Sequence, residues 1–482
     1  MLATSLVALD STIVATAVPS IVADLGGFSQ FPWLFSVYLL AQAVSVPIYG
    51  KLADIVGRKP IMLVGIGLFL VGSIFCAAAW NMTALIVFRA VQGLGAGAVQ
   101  PMSITIAGDI YSLAERAKAQ GYLASVWAIS AVVGPTLGGV FSEWLTWRWL
   151  FIINIPLCLL AGWMLVRRFQ EKVQRVTHRI DYLGAVTLTV GASLLILGLL
   201  EGGQAWAWTS APSLVVLGGG AVLIAIFLVV QRRAAEPVLP LWVFSRRVLV
   251  ASAVIATLVG AVLLGLTTYV PTFVQAVLGT GPLVAGFALA TLTIGWPISA
   301  TLSGRLYLRL GFRTTAVIGA TLAVLGSVST IWLGASSAVW QVAASCFVVG
   351  LGMGLIASPT LIAAQSSVGW SERGVVTATN LFARSIGSAV GVAAFGALAN
   401  ASHGATANAA DDPAAVAGAS HDVFVATAVL AVCMFAAAWV LPGGRPSAQA
   451  AQAAPAGDAS PGTGAGTGDV AADEPMTADP TR

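Results

Sequence analysis

Asp10 stands inside the apolar run Leu2–Ile21. A carboxylate at mid-membrane costs about 2.5–3.5 kcal/mol on insertion scales, so its default reading is functional. Burial favours the neutral form of a carboxyl group, the property a proton carrier needs. The other reading is a carboxylate that caps local backbone or pairs permanently with an arginine. Arg89 lies just inside the outer end of the run 84–107. It either snorkels to the outer interface or extends its guanidinium to Asp10 and weakens that acid's hold on a proton.

A second group is the stretch GKLADIVGRKP, Gly50 to Pro60, with Lys51, Asp54, Arg58 and Lys59 between two apolar runs and glycines at Gly50 and Gly57. Asp54 and Arg58 are four apart, so they share a face if the helix continues through the turn. The plainer reading is a solvated loop that only sets topology. A third group is Gly134-Pro135-Thr136-Leu137-Gly138-Gly139. Its proline removes one backbone bond and bends a helix, and Gly134 and Gly138, four apart, let another helix approach closely. That serves either tight packing alone or a bend between two halves that limits leakage.

Other chemistry is set aside. GLGAG at Gly93–Gly97 and GLGMG at Gly350–Gly354 lie inside apolar runs, follow no strand and read as close helix packing. No GxxxxGKS or GxxxxGKT occurs, so energy has to come from an ion gradient; one charge crossing 100 mV is worth about 2.3 kcal/mol. His178, His403 and His421 form no ligand cluster. Cys76, Cys158, Cys346 and Cys433 share no CxxC spacing and read as small buried hydrophobes. Neither metal nor cofactor is expected, and not an enzyme.

The elements that position these residues follow from composition. Of 482 residues, 58% are hydrophobic and 9% charged, with a mean hydropathy of +0.91; only a bilayer hides that much apolar surface. The net charge of +4 gives no sign of a nucleic-acid partner. A spanning helix needs about 20 apolar residues. Fourteen such runs are read at about 2–21, 33–50, 60–80, 84–107, 121–141, 149–166, 181–200, 211–230, 248–270, 284–304, 314–333, 339–362, 378–399 and 422–441. The even-numbered loops hold 18 Lys and Arg and the odd-numbered ones only Arg148. That bias places both termini in the cytoplasm. No cleavable signal peptide is expected. The tail 442–482, rich in Ala, Gly, Pro, Thr and Asp, is expected to be disordered.

Three local similarities recur at nearly one spacing. Gly50-Lys51-Leu52 with Gly57 matches Gly304-Arg305-Leu306 with Gly311, GLGAG matches GLGMG, and Gly134 with Gly138 matches Gly387 with Gly391, at offsets of 254, 257 and 253. Each moves a position by eight spans, an even number, so the two copies share an orientation. The expected organisation is a first six-helix bundle (1–168), an inserted helix pair with flanking basic loops (169–244), a second six-helix bundle (245–441) and the tail.

GKLADIVGRKP resembles the signature between helices 2 and 3 of the major facilitator superfamily. LDSTIVATAVPSI (Leu9–Ile21), FRAVQGLGAG (Phe88–Gly97), VVGPTLGG (Val132–Gly139), WRWLFIINIP (Trp147–Pro156) and VQAVLGTGPLVAG resemble the motifs of its fourteen-helix drug:proton antiporters, the EmrB/QacA group. Ile55 stands where the family has a basic residue. The resemblance implies an all-α polytopic membrane fold, with two six-helix bundles plus two inserted helices. It implies a proton-coupled exporter of small amphiphilic drugs or antibiotics in a bacterial inner membrane, working by alternating access; a monomer is one option, and the sequence does not name the oligomeric state. Arg89 would take part in proton transfer, and Asp54 would latch the halves by facing the N-terminus of a second-half helix. The second-half counterparts of Arg89 and Asp54 are Cys346 and Leu308, so coupling is expected mainly in the first half. Trp127 and Trp296 are candidates for the substrate cavity. A dedicated exporter or importer of one metabolite, such as an amino acid, siderophore or self-made antibiotic, and a non-transporting sensor with the same fold stay open.

Overall fold

The computed structural model describes residues 1–26, 33–171, 181–202, 206–234, 237, 240–403 and 413–443. Its long elements are α-helices: α1 (Leu2–Leu25), α2 (Trp33–Val56), α3 (Arg58–Ala77), α4 (Met82–Ile110), α5 (Leu113–Trp144), α6 (Trp149–Ile152), α7 (Asn154–Arg168), α8 (Tyr182–Glu201), α9 (Ala211–Arg233), α10 (Arg247–Ala276), α11 (Pro282–Leu310), α12 (Phe312–Ile331), α13 (Val339–Ser366), α14 (Arg373–His403) and α15 (Pro413–Val440). In lipid no water satisfies the backbone, so each apolar run closes its own hydrogen bonds as a helix. Asn81 caps α4 by accepting the N–H of Ala84 at 2.7 Å, and at the start of α5 the Glu115 carboxylate accepts the Ser112 N–H at 3.2 Å.

Among the described residues, twelve helices are long and apolar enough to cross a membrane, with Trp149–Arg168 counted as one; the expected fourteen is not reached by that measure. The two outside it are α1 and α5.

Two cores are built separately. Leu6, Tyr38, Phe69, Val99 and Cys158 pack together from α1 to α4 and α7, and Ile255, Leu292, Ala320, Met353 and Phe424 from α10 to α13 and α15. A third cluster joins Val44 of α2, Leu188 of α8, Phe227 of α9 and Phe382 of α14. The pair α8–α9 therefore lies over a seam where α2 meets α14. Cys433 departs from expectation: it is exposed on α15, while Cys76, Cys158 and Cys346 are buried. His178 and the tail from 444 onward lie outside the described residues.

The repeat noticed in sequence recurs in the packing. A Cβ on Gly97 would meet Ser45 Oγ at 2.0 Å, and one on Gly354 would meet Ser299 Oγ at 2.1 Å. Gly93 presses on the carbonyl of Tyr38 and Gly350 on that of Leu292; Gly95 presses on Phe69 and Gly352 on Ala323. Each pair of partners is 254 residues apart. Gly57 (φ 107°) and Gly311 (φ 90°) both take the positive φ that favours glycine. Each is the single residue that breaks one long helix from the next, α2 from α3 and α11 from α12.

Candidate functional site

Two polar clusters stand out. The deeper one centres on Asp10, 0% exposed, on α1. Arg89 Nη1 of α4 donates to Asp10 Oδ2 at 2.6 Å. Gln92 Nε2, one turn along α4, donates to Asp10 Oδ1 at 2.8 Å, and Asn154 Nδ2 of α7 donates to the same oxygen at 3.2 Å. Arg89 is itself held on all sides. It donates to Gln92 Oε1 at 2.7 Å and to the Leu34 carbonyl at 3.2 Å, and its guanidinium lies 4.1 Å from the centre of the Tyr38 ring. Gln92 also donates to Ser73 Oγ at 2.9 Å. Arg89, 1% exposed, therefore does not snorkel to the interface. Asp10 and Arg89 form an ion pair in this structure.

Two charges out of water are costly, and the pair is tolerated because charge-assisted hydrogen bonds satisfy both ions. Removing one partner of such a pair costs about 3–5 kcal/mol. Gln92 and Asn154 were not singled out from sequence. Both fall in the quoted stretches FRAVQGLGAG and WRWLFIINIP, and Gln92 sits three residues after Arg89, on the same helix face.

The second cluster lies where α2, α4, α5, α11, α13 and α14 end together, the Lys- and Arg-rich end. Asp54 Oδ1 accepts the N–H of Gly374 at 2.9 Å and Oδ2 that of Val375 at 2.8 Å. These donors are in the first turn of α14, which has no intrahelical partner for them. Arg58 Nη2 bonds Asp54 Oδ1 at 2.8 Å and the Trp370 carbonyl, Arg58 Nε lies 3.2 Å from Asp109 Oδ2, and the guanidinium stacks 3.6 Å from the Trp370 ring centre. Arg373 Nη1 reaches Asp109 Oδ1 at 2.9 Å, and Arg116 Nη1 reaches Ser366 Oγ at 3.1 Å. The turn does not continue α2: Asp54 and Arg58 meet across the break at Gly57, whose positive φ reverses the chain.

Gly50 lets α2 and α14 touch. A Cβ there would lie 2.3 Å from Ala378 Cβ and 2.9 Å from the Gly374 carbonyl. Lys59 and Glu171 complete the turn: Glu171 accepts the N–H groups of Arg58 and Lys59, each at 2.8 Å, and so caps α3. At the repeat-related contact between α11 and α5, Tyr307 donates its hydroxyl to the Leu113 carbonyl, and Leu308 and Phe312 pack on Leu113 and Ala117. One contact between halves is ionic, and its counterpart is mostly apolar.

The remaining candidates are dispersed. Gly134 presses on α1 of its own half: a Cβ would lie 2.1 Å from Thr12 Oγ1, two residues after Asp10. Thr12 in turn donates to the Ser130 carbonyl at 2.9 Å. Gly138 is buried, and Pro135 and Gly139 lie inside α5, which runs unbroken from Leu113 to Trp144. Trp127 packs against the first-half core and Trp296 against the second-half core, so no shared cluster joins them. Arg148, the lone basic residue of the odd loops, bonds Asp24 Oδ2 at 2.7 Å, beside Trp147. No group of three or more metal-ligating side chains occurs among the described residues.

Residues 1–392 match the Major Facilitator Superfamily. Multidrug transporter protein MdtP of Bacillus subtilis is 35% identical over 397 residues, 82% of this chain and 73% of the relative. Multidrug resistance protein 3 of the same organism is 35% identical over 391 residues, 81% of this chain and 76% of the relative. The efflux pump dotC of Dothistroma septosporum is 34% identical over 400 residues, 82% of this chain and 69% of the relative. The fold is similar to that of the human organic anion transporter MFSD10, with a TM-score of 0.64 at 14% identity, over 91% of this chain and 97% of that one. With its family match over most of its length and its many membrane-crossing helices, this chain belongs to the Major Facilitator Superfamily, as a polytopic membrane transporter of small molecules.

Proposed function

We propose that the protein exports small amphiphilic molecules from a bacterial cell in exchange for protons, by alternating access, as a fourteen-helix member of the EmrB/QacA group. The observation that carries the coupling is Asp10, a fully buried carboxylate with Arg89, Gln92 and Asn154 all donating to it. The multidrug relatives support the direction and class of cargo. In this reading α1 and α5 also cross the bilayer. Residues 1–168 and 245–441 form the two moving halves, α8 and α9 cover their seam, and the basic end is cytoplasmic with both termini.

The contacts between halves named above, Asp54–Gly374, Arg58–Trp370, Asp109–Arg373, Arg116–Ser366 and Leu113–Tyr307, all sit at the basic end. That arrangement suits an outward-facing state closed toward the cytoplasm. A proton arriving from outside neutralises Asp10 and releases Arg89 from its ion pair. The first half then repacks around an arginine held only by Gln92, the Leu34 carbonyl and Tyr38. The latch at α14 is weak enough to yield: a carboxylate at a helix N-terminus is worth about 0.3–1 kcal/mol when exposed and up to about 2 when partly buried, against about 2.3 kcal/mol per charge per 100 mV.

The test is dye uptake into everted vesicles driven by a pH gradient. Collapse of uptake on removing the gradient, together with its loss in Asp10→Asn at normal membrane abundance, is expected. Full gradient-driven uptake by Asp10→Asn removes Asp10 from the mechanism.

A further inference from the structure

One arginine is used by neither cluster. Arg384 lies on α14, eleven residues beyond Arg373 at the basic end. At 1.5 Å per residue that is about 16 Å into a hydrocarbon layer about 30 Å thick. An arginine so placed is expensive, faces protein or water rather than lipid, and calls for a partner. Among the described residues none is present: no ion pair or side-chain hydrogen bond engages Arg384, and no charged group acts on it.

The sequence explains why. Between residues 248 and 400 there is a single acid, Glu372, and it lies at the basic end. In the first half, Asp10 is held by Arg89, Asp54 by Arg58, Asp109 by Arg58 and Arg373, and Asp24 by Arg148. Each of these carboxylates already has its cation.

The position of Arg384 on the helix says where this charge is presented. Asn380 bonds Ser252 of α10 at 2.8 Å, Gly387 presses on the Thr257 carbonyl of α10, and Gly391 on Ala261. Ala378, Phe382 and Ala389 instead pack into the seam with α2 and α8. Val390, 45% exposed, marks the outward face. At 100° per residue Arg384 falls between Asn380 and Ser388 on the face turned to α10, about 60° from Leu381 of the seam with α2 and α8 and well away from Val390. Since α10 belongs to the second half and α2 to the first, the side of this face nearer Leu381 borders the cleft between halves. Arg384 is half-buried there, neither sealed in the core nor spread on the surface. Its neighbours Asn380 and Ser388 already bond Ser252 and the Gly260 carbonyl, so they leave the guanidinium as the strong donor on this wall.

We propose that Arg384 is a substrate-binding residue and that the cargo is an amphiphile carrying an anionic group, a carboxylate or sulfonate, which supplies the missing counter-charge. The proposal rests on the reading that substrate passes between the two halves, and it narrows the cargo from amphiphiles in general to anionic ones. A guanidinium matches such a planar or trigonal oxyanion with two parallel N–H donors.

The test needs no gradient, so it is independent of whether Asp10 couples protons. The purified full-length protein in detergent is titrated with anilinonaphthalene sulfonate and with its uncharged parent, phenylnaphthylamine, and fluorescence above that of empty micelles is recorded. The wild type is expected to bind the sulfonate at least about tenfold more tightly, the scale of one charge-assisted hydrogen bond. Arg384→Gln should erase that preference while holding the uncharged dye as before, and Arg384→Lys should keep much of it. Equal binding of both dyes by the wild type, or an unchanged preference in Arg384→Gln, overturns the proposal. A second measurement covers a variant that fails to fold. On the wild type, octanoate should displace the sulfonate dye and octylamine should not; equal displacement by the two overturns it as well.

Discussion

The Asp54 carboxylate accepts the backbone N–H of Gly374 at 2.9 Å, joining α2 of one half to the first turn of α14 of the other across 320 residues of sequence. Its second oxygen takes the N–H of Val375, so a single side chain satisfies two orphan donors and meets the positive end of the helix dipole. In Asp54→Asn the charge is lost, and the amide can accept at only one of the two positions. The equilibrium between closed and open basic ends should shift by about 1–2 kcal/mol, roughly 5–30-fold. Spin labels at the exposed Lys118 and Arg309 measure it: a longer-distance population should grow. Distance distributions identical to wild type would show that the latch has no role in the equilibrium.

Gly50 makes the same contact sterically. Its missing Cβ would sit 2.3 Å from Ala378 Cβ, with backbone of Gly374 close behind, so no flexible tip can move aside. Gly50→Val should block closure of the basic end and lose transport while the protein remains folded. The Lys118–Arg309 label pair should then report only the open distance, and a closed distance in Gly50→Val would show that α14 can shift to make room.

Arg89 and Asp10 should show strong coupling. Arg89→Ala leaves a carboxylate buried without its cation and should lower stability by about 3–5 kcal/mol. Asp10→Asn combined with Arg89→Ala should recover much of that loss, because no lone charge remains, yet should not recover gradient-driven transport. Arg89→Lys keeps the charge but cannot serve Asp10, Gln92 and the Leu34 carbonyl at once, so it should transport poorly. Thermal unfolding of the four proteins decides: additive losses across the cycle would mean that the pair is not energetically linked.

Gly134 sets the distance between α5 and α1 beside Asp10. Gly134→Ala places a methyl 2.1 Å from Thr12 Oγ1 and 2.9 Å from Thr12 Cβ. Overpacking of this kind costs about 1–3 kcal/mol, and here it displaces the helix that carries the acid. Proton-coupled uptake should fall, and Thr12→Ala should restore part of it by removing the nearer of the two clashing atoms. If Thr12→Ala gives no rescue, the fault lies elsewhere on α5.

Much of the fold was legible in the sequence because the bilayer imposes a local rule. Stretches such as 248–270 or 339–362 are apolar for about the thickness of the hydrocarbon layer, and each lies within one helix, α10 or α13. The repeat was legible for a similar reason: glycines at Gly50, Gly57, Gly93 and Gly97 and their copies mark places where backbones touch or reverse, which tolerate little else. Asp10 and Asp54 were legible as residues, since a charge in or beside a membrane run is conspicuous. Arg384 had the same mark and passed unnoticed among the glycines of α14.

What the sequence by itself determined is therefore the helices, their periodic close contacts and the few charges placed at membrane depth. Partnership was decided only in three dimensions. Asp10 and Arg89 are 79 residues apart and Asp54 and Gly374 are 320 apart, and nothing in either local stretch names the other. Apolarity tells how long a helix is, but in lipid it is nearly uniform around the helix and so carries little information on which face meets which neighbour. That choice is made by packing, where a missing Cβ or a buried hydrogen bond admits one rotation and excludes the rest, and it settles which arginine finds an acid and which, at Arg384, does not.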